Sequence, residues 1–234
     1  GLLLKTGAYG ILRFVLPLFP AAAVEIAPVA MLLGVIGILY GAMLAYAQMD
    51  LKRLVAYTSV SHMGFVLLGA FAFNEIAYQG VIMQMITHGI STGALFIIAG
   101  ALYERLHTRN LRQMGGLWFR LPLLGSAAMI FVMASLGLPG LGNFVAEFLV
   151  LLGSWEANHV LTVLAATGLV VATAYSLRIM QKVFFGPCDR QYALPDLNGR
   201  ELVIIIALVI AICWLGFHPQ PVLNTSQNTD YVVR

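Results

Sequence analysis

Charge is what this sequence has least of. Only 10% of its 234 residues are Asp, Glu, Lys or Arg, against 60% that are hydrophobic, whereas a soluble domain carries about a quarter charged residues. That excludes an ordinary water-soluble fold. Cysteine is scarce as well: Cys188 sits in a polar stretch and Cys213 in the last apolar run, with neither metal-ligand spacing nor a disulfide framework. The chain has no dinucleotide-binding glycine motif, no cysteine set for an iron–sulfur cluster and no quinone signature, so no redox cofactor is expected in it. Its net charge of +3 is spread through short loops rather than gathered on a basic, aromatic-studded face, which argues against nucleic acid as a partner. The opening Gly-Leu-Leu-Leu-Lys lacks an initiator Met, a charged leader and a cleavage site, so it reads as the interior of a longer protein rather than a signal peptide.

What the chain has in abundance is long apolar runs, at 1–19, 28–49, 54–73, 76–103, 121–153, 160–185 and 201–217. A bilayer crossing takes about 20 such residues as a helix. An all-α, polytopic membrane protein of about seven transmembrane helices is therefore expected, with the first span cut short. The fifth run is too long for one straight helix. It contains Ser135-Leu136-Gly137-Leu138-Pro139-Gly140-Leu141-Gly142-Asn143, in which Pro removes a backbone donor and the glycines disfavour helix. A discontinuous helix over 121–153, broken into two halves, is predicted.

The loops give the orientation. Lys52 and Arg53 lie between the second and third spans, Arg105, Arg109, Arg112 and Arg120 between the fourth and fifth, and Lys182, Arg190 and Arg200 between the sixth and seventh, with Arg178 at the edge. The intervening loops, about 20–27, 74–75 and 154–159, hold Glu25, Glu75 and Glu156 and no Lys or Arg. Such alternation places the basic loops in the cytoplasm. Trp118, Phe119, Trp155, Trp214 and Phe217 fall near span ends, as interfacial or lipid-facing aromatics do. The polar stretch 186–200 reads as a linker that sets the last helix apart.

Ionisable side chains inside membrane spans are costly and usually face a bundle interior, where they serve transport or relay. Four stand out. Lys5 lies near the start of the first run, where snorkelling at a helix start and a buried, reversibly protonated role are both open. His62 follows Thr58 and Ser59 by four and three residues, and His88 follows Gln84 by four, spacings that share a helix face and suit a proton chain through imidazoles that titrate near neutrality. A packing histidine is the competing reading. Metal ligation is disfavoured, since no second ligand lies three or four residues from either ring. Glu147, seven residues after Gly140, is the strongest signal, because broken helices recur at transporter ion sites and a carboxylate is favoured near a half-helix N-terminus. Its competing reading is a structural partner for a cation on another helix. Arg13 reads as an interfacial, snorkelling residue.

The segments LLLKTGAYGILRFVLPLFP, DLKRLVAYTSVSHMGFVLLG, MITHGISTGALFIIAGALYERLHTR and SLGLPGLGNFVAEFLVLLGSW resemble the subunit M family of bacterial proton-pumping NADH:quinone oxidoreductase (complex I), whose mitochondrial counterpart is subunit 4. The resemblance covers essentially the whole chain and starts partway into the family's length. It implies an antiporter-like fold of two inverted five-helix repeats, each with one broken helix. Residues 1–27 would end the first repeat with its outer loop, 28–185 would be the second repeat, and 186–234 a cytoplasmic linker, last helix and tail. It also implies a mid-membrane proton axis in which Lys5 is the bridging lysine, His62 and His88 are axis histidines, and Glu147 is the terminal acid. Siblings L and N usually carry Lys at that place, so Glu147 favours subunit M. The implied path runs along Lys5, His88, His62 and water to Glu147 and the outer side, driven by chemistry elsewhere in the complex, where NADH, FMN, iron–sulfur clusters and quinone reside. The implied partners are other membrane-arm subunits, L and N among them, and the lipid bilayer of the inner membrane. A cation/proton antiporter subunit, a membrane-bound hydrogenase subunit and a purely structural membrane-arm anchor are the alternatives.

Overall fold

The computed structural model describes residues 3–186 and 194–226; Cys188 and Arg190 lie outside them. Helix α1 (Leu3–Gly10) passes through a π-helical turn (Ile11–Val15) into the short α2 (Leu16–Leu18). Then come α3 (Pro20–Ala47), α4 (Leu51–Ala70) and α5 (Glu75–Leu106). The discontinuous pair is α6 (Pro122–Ser135) and α7 (Gly142–Ala157). α8 (His159–Ile179) runs on into a second π-helical turn (Met180–Phe184), and α9 (Gly199–Phe217) and α10 (Gln220–Leu223) follow. The described residues form an all-helical fold whose one β-type contact is an isolated bridge between Asp50 and Asn110.

Among the described residues, four segments are long and apolar enough to cross a bilayer: Pro20–Ala47, Glu75–Leu106, His159–Phe184 and Gly199–Phe217. α4 has 20 residues, enough for a crossing of about 30 Å at ~1.5 Å per residue, and owes its lower hydropathy to Thr58, Ser59, Ser61 and His62. α6 and α7, with 14 and 16 residues, are too short to cross singly and cross as a pair.

Local chemistry sets the helix ends. Asp50, Asn74 and Asn158 accept hydrogen bonds from the first free amides of α4, α5 and α8, and Asn198 with Glu201 forms a capping box on α9, which satisfies donors that a helix start leaves open. Pro20 and Pro122 occupy first-turn positions, where the missing N–H costs nothing. The residues expected as an outer loop at 20–27 are helical. Only Phe19 leaves the helical conformation (φ −131°, ψ 56°) before Pro20 starts α3, so Glu25 rides on a helix surface.

The last helix is not set apart either. Arg105 at the end of α5 grips Glu201 with both terminal guanidinium nitrogens, at 2.7 and 3.2 Å, and donates to the carbonyls of Pro195 and Asp196. The Asp196 carboxylate accepts from the Leu123 and Leu124 amides, capping α6. One arginine therefore ties the linker, α6 and α9 to α5. Arg105→Ala is expected to lower the thermal midpoint of the detergent-solubilised protein, at about 2 kcal/mol, below the 3–5 of a fully buried pair. Arg105→Lys should recover only part, since an ammonium lacks the two-pronged geometry. An unchanged midpoint would remove the clamp.

Among the described residues, two large apolar clusters fill most of the bundle, with two smaller ones beside them. One large cluster gathers Leu54, Leu95, Leu102, Leu117, Leu124, Phe131 and Phe184 toward the basic loops; the other gathers Ile38, Phe65, Leu68, Val81, Val150 and Ala165 toward the acidic ones. α3 and α4 meet where a Cβ on Gly34 would lie 2.9 Å from the Gly64 carbonyl, the small-residue approach that stabilises helix pairs in lipid. Between the clusters lies a layer of buried polar side chains.

Candidate functional site: a buried acid and imidazole at the broken helix

The break is built by local backbone rules. At the end of α6 the Gly137 amide bonds to the Ala134 carbonyl and the Leu138 amide to the Met133 carbonyl, the Schellman arrangement, which needs a left-handed residue at its centre. Gly137 supplies it with φ +79°, and Gly140 repeats a positive φ at +96°. Pro139 between them bars any continuation of the helix. α7 then restarts without a side-chain cap on its first amides.

Glu147 projects from the second turn of α7 and is 2% exposed. Its Oε1 lies 2.8 Å from Nδ1 of His62 on α4 and accepts from Gln84 Nε2 on α5 at 3.2 Å. Its Oε2 sits against the break, 3.1 Å from where a Cβ on Gly137 would stand. The other nitrogen of His62, Nε2, faces the hydroxyls of Tyr175 at 3.1 Å and Ser135 at 3.3 Å. In the neutral ring with its proton on Nδ1, His62 donates to the carboxylate and Nε2 accepts from Tyr175. In the imidazolium, both nitrogens donate. The same contacts serve both protonation states, which a proton-passing pair requires.

His88, 1% exposed like His62, brings its ring centroid to 4.9 Å from that of His62 at a tilt of 42°. Nδ1 of His88 is 2.9 Å from Thr92 Oγ1, and Asn143 at the start of α7 donates to Ser91 at 3.1 Å. Lys5 is 7% exposed. It lines a groove of about 1020 Å³ together with Met85, Ile86 and Gly89, the α5 residues on either side of His88. His62 thus stands between Glu147, which it contacts, and the ring of His88, and Lys5 shares its groove with α5 residues that flank His88 in sequence.

The helical-spacing reading of the neighbours needs correction. Thr58 and Ser59 bond back to the Val55 carbonyl, at 2.8 and 3.5 Å, as hydroxyls within helices commonly do, and Gln84 turns to Glu147 rather than to His88. The partners of His62 come instead from α6, α7 and α8. The helix dipole is a lesser influence on Glu147 than expected, because its effect fades beyond the first turn. Tyr175, fully buried on α8, is a partner that sequence reasoning missed; its one signal there is a tyrosine inside the apolar run 160–185. Among the described residues, no group of three or more His, Cys, Asp or Glu converges as a metal set.

These features define a polytopic helical membrane protein of antiporter-like architecture, with a buried acid–imidazole pair at a broken helix. Residues 1–173 match the family described as NADH:quinone oxidoreductase/Mrp antiporter, TM, and the chain belongs to that family. It is 54% identical to NADH-quinone oxidoreductase subunit M of Pseudomonas aeruginosa over 226 residues, 97% of this chain and 44% of that protein, in line with the resemblance drawn from the motifs. Its fold matches a chain of respiratory complex I from Thermus thermophilus with bound NADH (TM-score 0.91, 33% identity, 98% of this chain and 50% of that one). It also shares the fold of a chain in the Mrp complex from Dietzia sp. DQ12-45-1b (TM-score 0.83, 21% identity, 96% of this chain and 52% of that one). The chain thus spans about half the length of the relatives it matches.

Proposed function

We propose that the intact subunit carries protons across the bacterial inner membrane within a proton-pumping NADH:quinone oxidoreductase. The proton passes from Lys5 to His88, His62 and Glu147, with the basic loops in the cytoplasm. Residues 1–27 end a first repeat, 28–185 form the second, and 186–234 link to the last helix and tail. NADH, FMN, iron–sulfur clusters and quinone belong to other subunits, so the chain's part in the enzyme is translocation. Membrane-arm subunits, L and N among them, are its neighbours.

The observation that carries this reading is the buried His62–Glu147 contact of 2.8 Å. A proton moving across it changes the charge seen by His88, whose ring is 4.9 Å away, so loading one site alters its neighbour. The identity to subunit M supports the redox-driven setting. Fold likeness to an Mrp complex chain supports a second reading, a cation/proton antiporter subunit, which would exchange protons for cations without NADH. In sealed vesicles carrying the complete complex, His62→Ala is expected to lose most NADH-driven proton uptake while NADH oxidation by an artificial acceptor continues. Uptake at the unaltered rate would take His62 out of the path, and cation-dependent exchange without NADH would favour the antiporter.

A further inference from the structure

The relay reading of Glu147 leaves open what separates this acid from the outer water, and the inference here rests on that reading. Three residues beyond Glu147 on α7 stands Val150, and three residues before Gln84 on α5 stands Val81. These spacings keep each valine on the face of its polar neighbour. Because α5 and α7 run in opposite directions, both steps lead outward, toward the acidic loops. Both valines are fully buried. From α4, Gly69 closes on the same point: a Cβ there would fall 2.7 Å from Val81 Cγ2 and 3.2 Å from both methyls of Val150. Phe65 and Ala165 belong to the same apolar cluster.

Outward of this close packing, polar side chains return. Ser154 lies one turn beyond Val150, and Asn74 at the start of α5 donates to Glu156 at 2.6 Å. Two fully buried polar atoms bracket the valines, Gln84 Oε1 on the inner side and Ser154 Oγ on the outer, and neither has a hydrogen-bond partner among the described residues. Buried polar atoms of this kind are where ordered water binds, whereas a neck of methyl groups sheds water and stops ion passage.

We propose that Val81, Val150 and Gly69 form a hydrophobic gate in series with Glu147, and that Gln84 and Ser154 orient water on its two sides when it opens. In that step the O–H bond of the Glu147 carboxylic acid breaks and its proton leaves along the water chain. The carboxylate left behind accepts from His62 and Gln84, so no oxidant or reductant takes part.

The test uses the complete complex in sealed vesicles, with Val150→Thr and Val81→Thr made separately. Threonine keeps the shape of valine and adds a hydroxyl, and if one variant fails to assemble the other carries the test. Without NADH, an imposed pH gradient is expected to collapse several-fold faster than in the unaltered complex, and adding Glu147→Gln is expected to return the leak to baseline. An unchanged leak in the assembled threonine variants would overturn the gate, as would a leak that survives Glu147→Gln. Failure of the relay reading shows separately, as normal NADH-driven pumping by Glu147→Gln alone.

Discussion

Glu147→Gln in the complete subunit is expected to abolish nearly all NADH-driven proton uptake into vesicles while the complex assembles in normal amount. The amide keeps an oxygen where Oε1 accepts from His62 and Gln84, so the packing at the break is preserved. What it loses is the ability to hold and release a proton. A positioned proton donor or acceptor is worth about 10²-fold or more in a transfer step, so residual uptake should be near the detection limit. Glu147→Asp keeps the titratable group but withdraws it by one methylene, and partial uptake is expected. The measurement is the initial rate of NADH-driven acidification beside the rate of NADH oxidation. Near-normal acidification by Glu147→Gln would sink the relay role, and loss of assembly instead would give the residue a structural one.

Gly216→Ala is expected to have the second-largest effect, through the fold. A Cβ on Gly216 would lie 2.1 Å from the Gly140 carbonyl oxygen, 2.5 Å from its carbon and 2.7 Å from Leu141 Cα. All three atoms are backbone, and Gly140 already holds a positive φ within the break, so no side chain can swing aside. The helix must move away from the break instead. Overpacking of this kind costs about 1–3 kcal/mol, and a backbone obstacle puts it at the upper end. Gly199→Ala on the same helix meets nothing within 4 Å and should be near neutral. Thermal unfolding in detergent and the yield of assembled complex distinguish the two; equal behaviour would mean that α9 does not brace the break.

Much of this was legible in the sequence. The Pro139 and glycine cluster marked the break because proline and left-handed positions are constraints on single residues. Glu147, His62 and His88 stood out because hydropathy is summed along the chain, and a charge or imidazole inside an apolar run needs no partner to be conspicuous. The same local logic failed for the neighbours. Thr58 and Ser59 share a helix face with His62, yet their hydroxyls close on the Val55 carbonyl. Helix α3 began earlier than expected because Pro20 needs only one non-helical residue before it.

The sequence by itself determined that the chain is a polytopic helical membrane protein, where its helix breaks, and which acid follows the break. These follow from residue-level properties: transfer of side chains into lipid, the fixed φ of proline and the free φ of glycine. Only the tertiary structure decided that Glu147 meets His62 and Gln84, that Tyr175 closes the far side of the ring, and that Arg105 ties down the last helix. His62 and Glu147 are 85 residues apart, and Tyr175 and His62 are 113 apart. Whether such residues meet depends on how each helix is rotated about its axis. Close packing at small residues such as Gly34, Gly64 and Gly216 sets those rotations, and no single helix's pattern contains them.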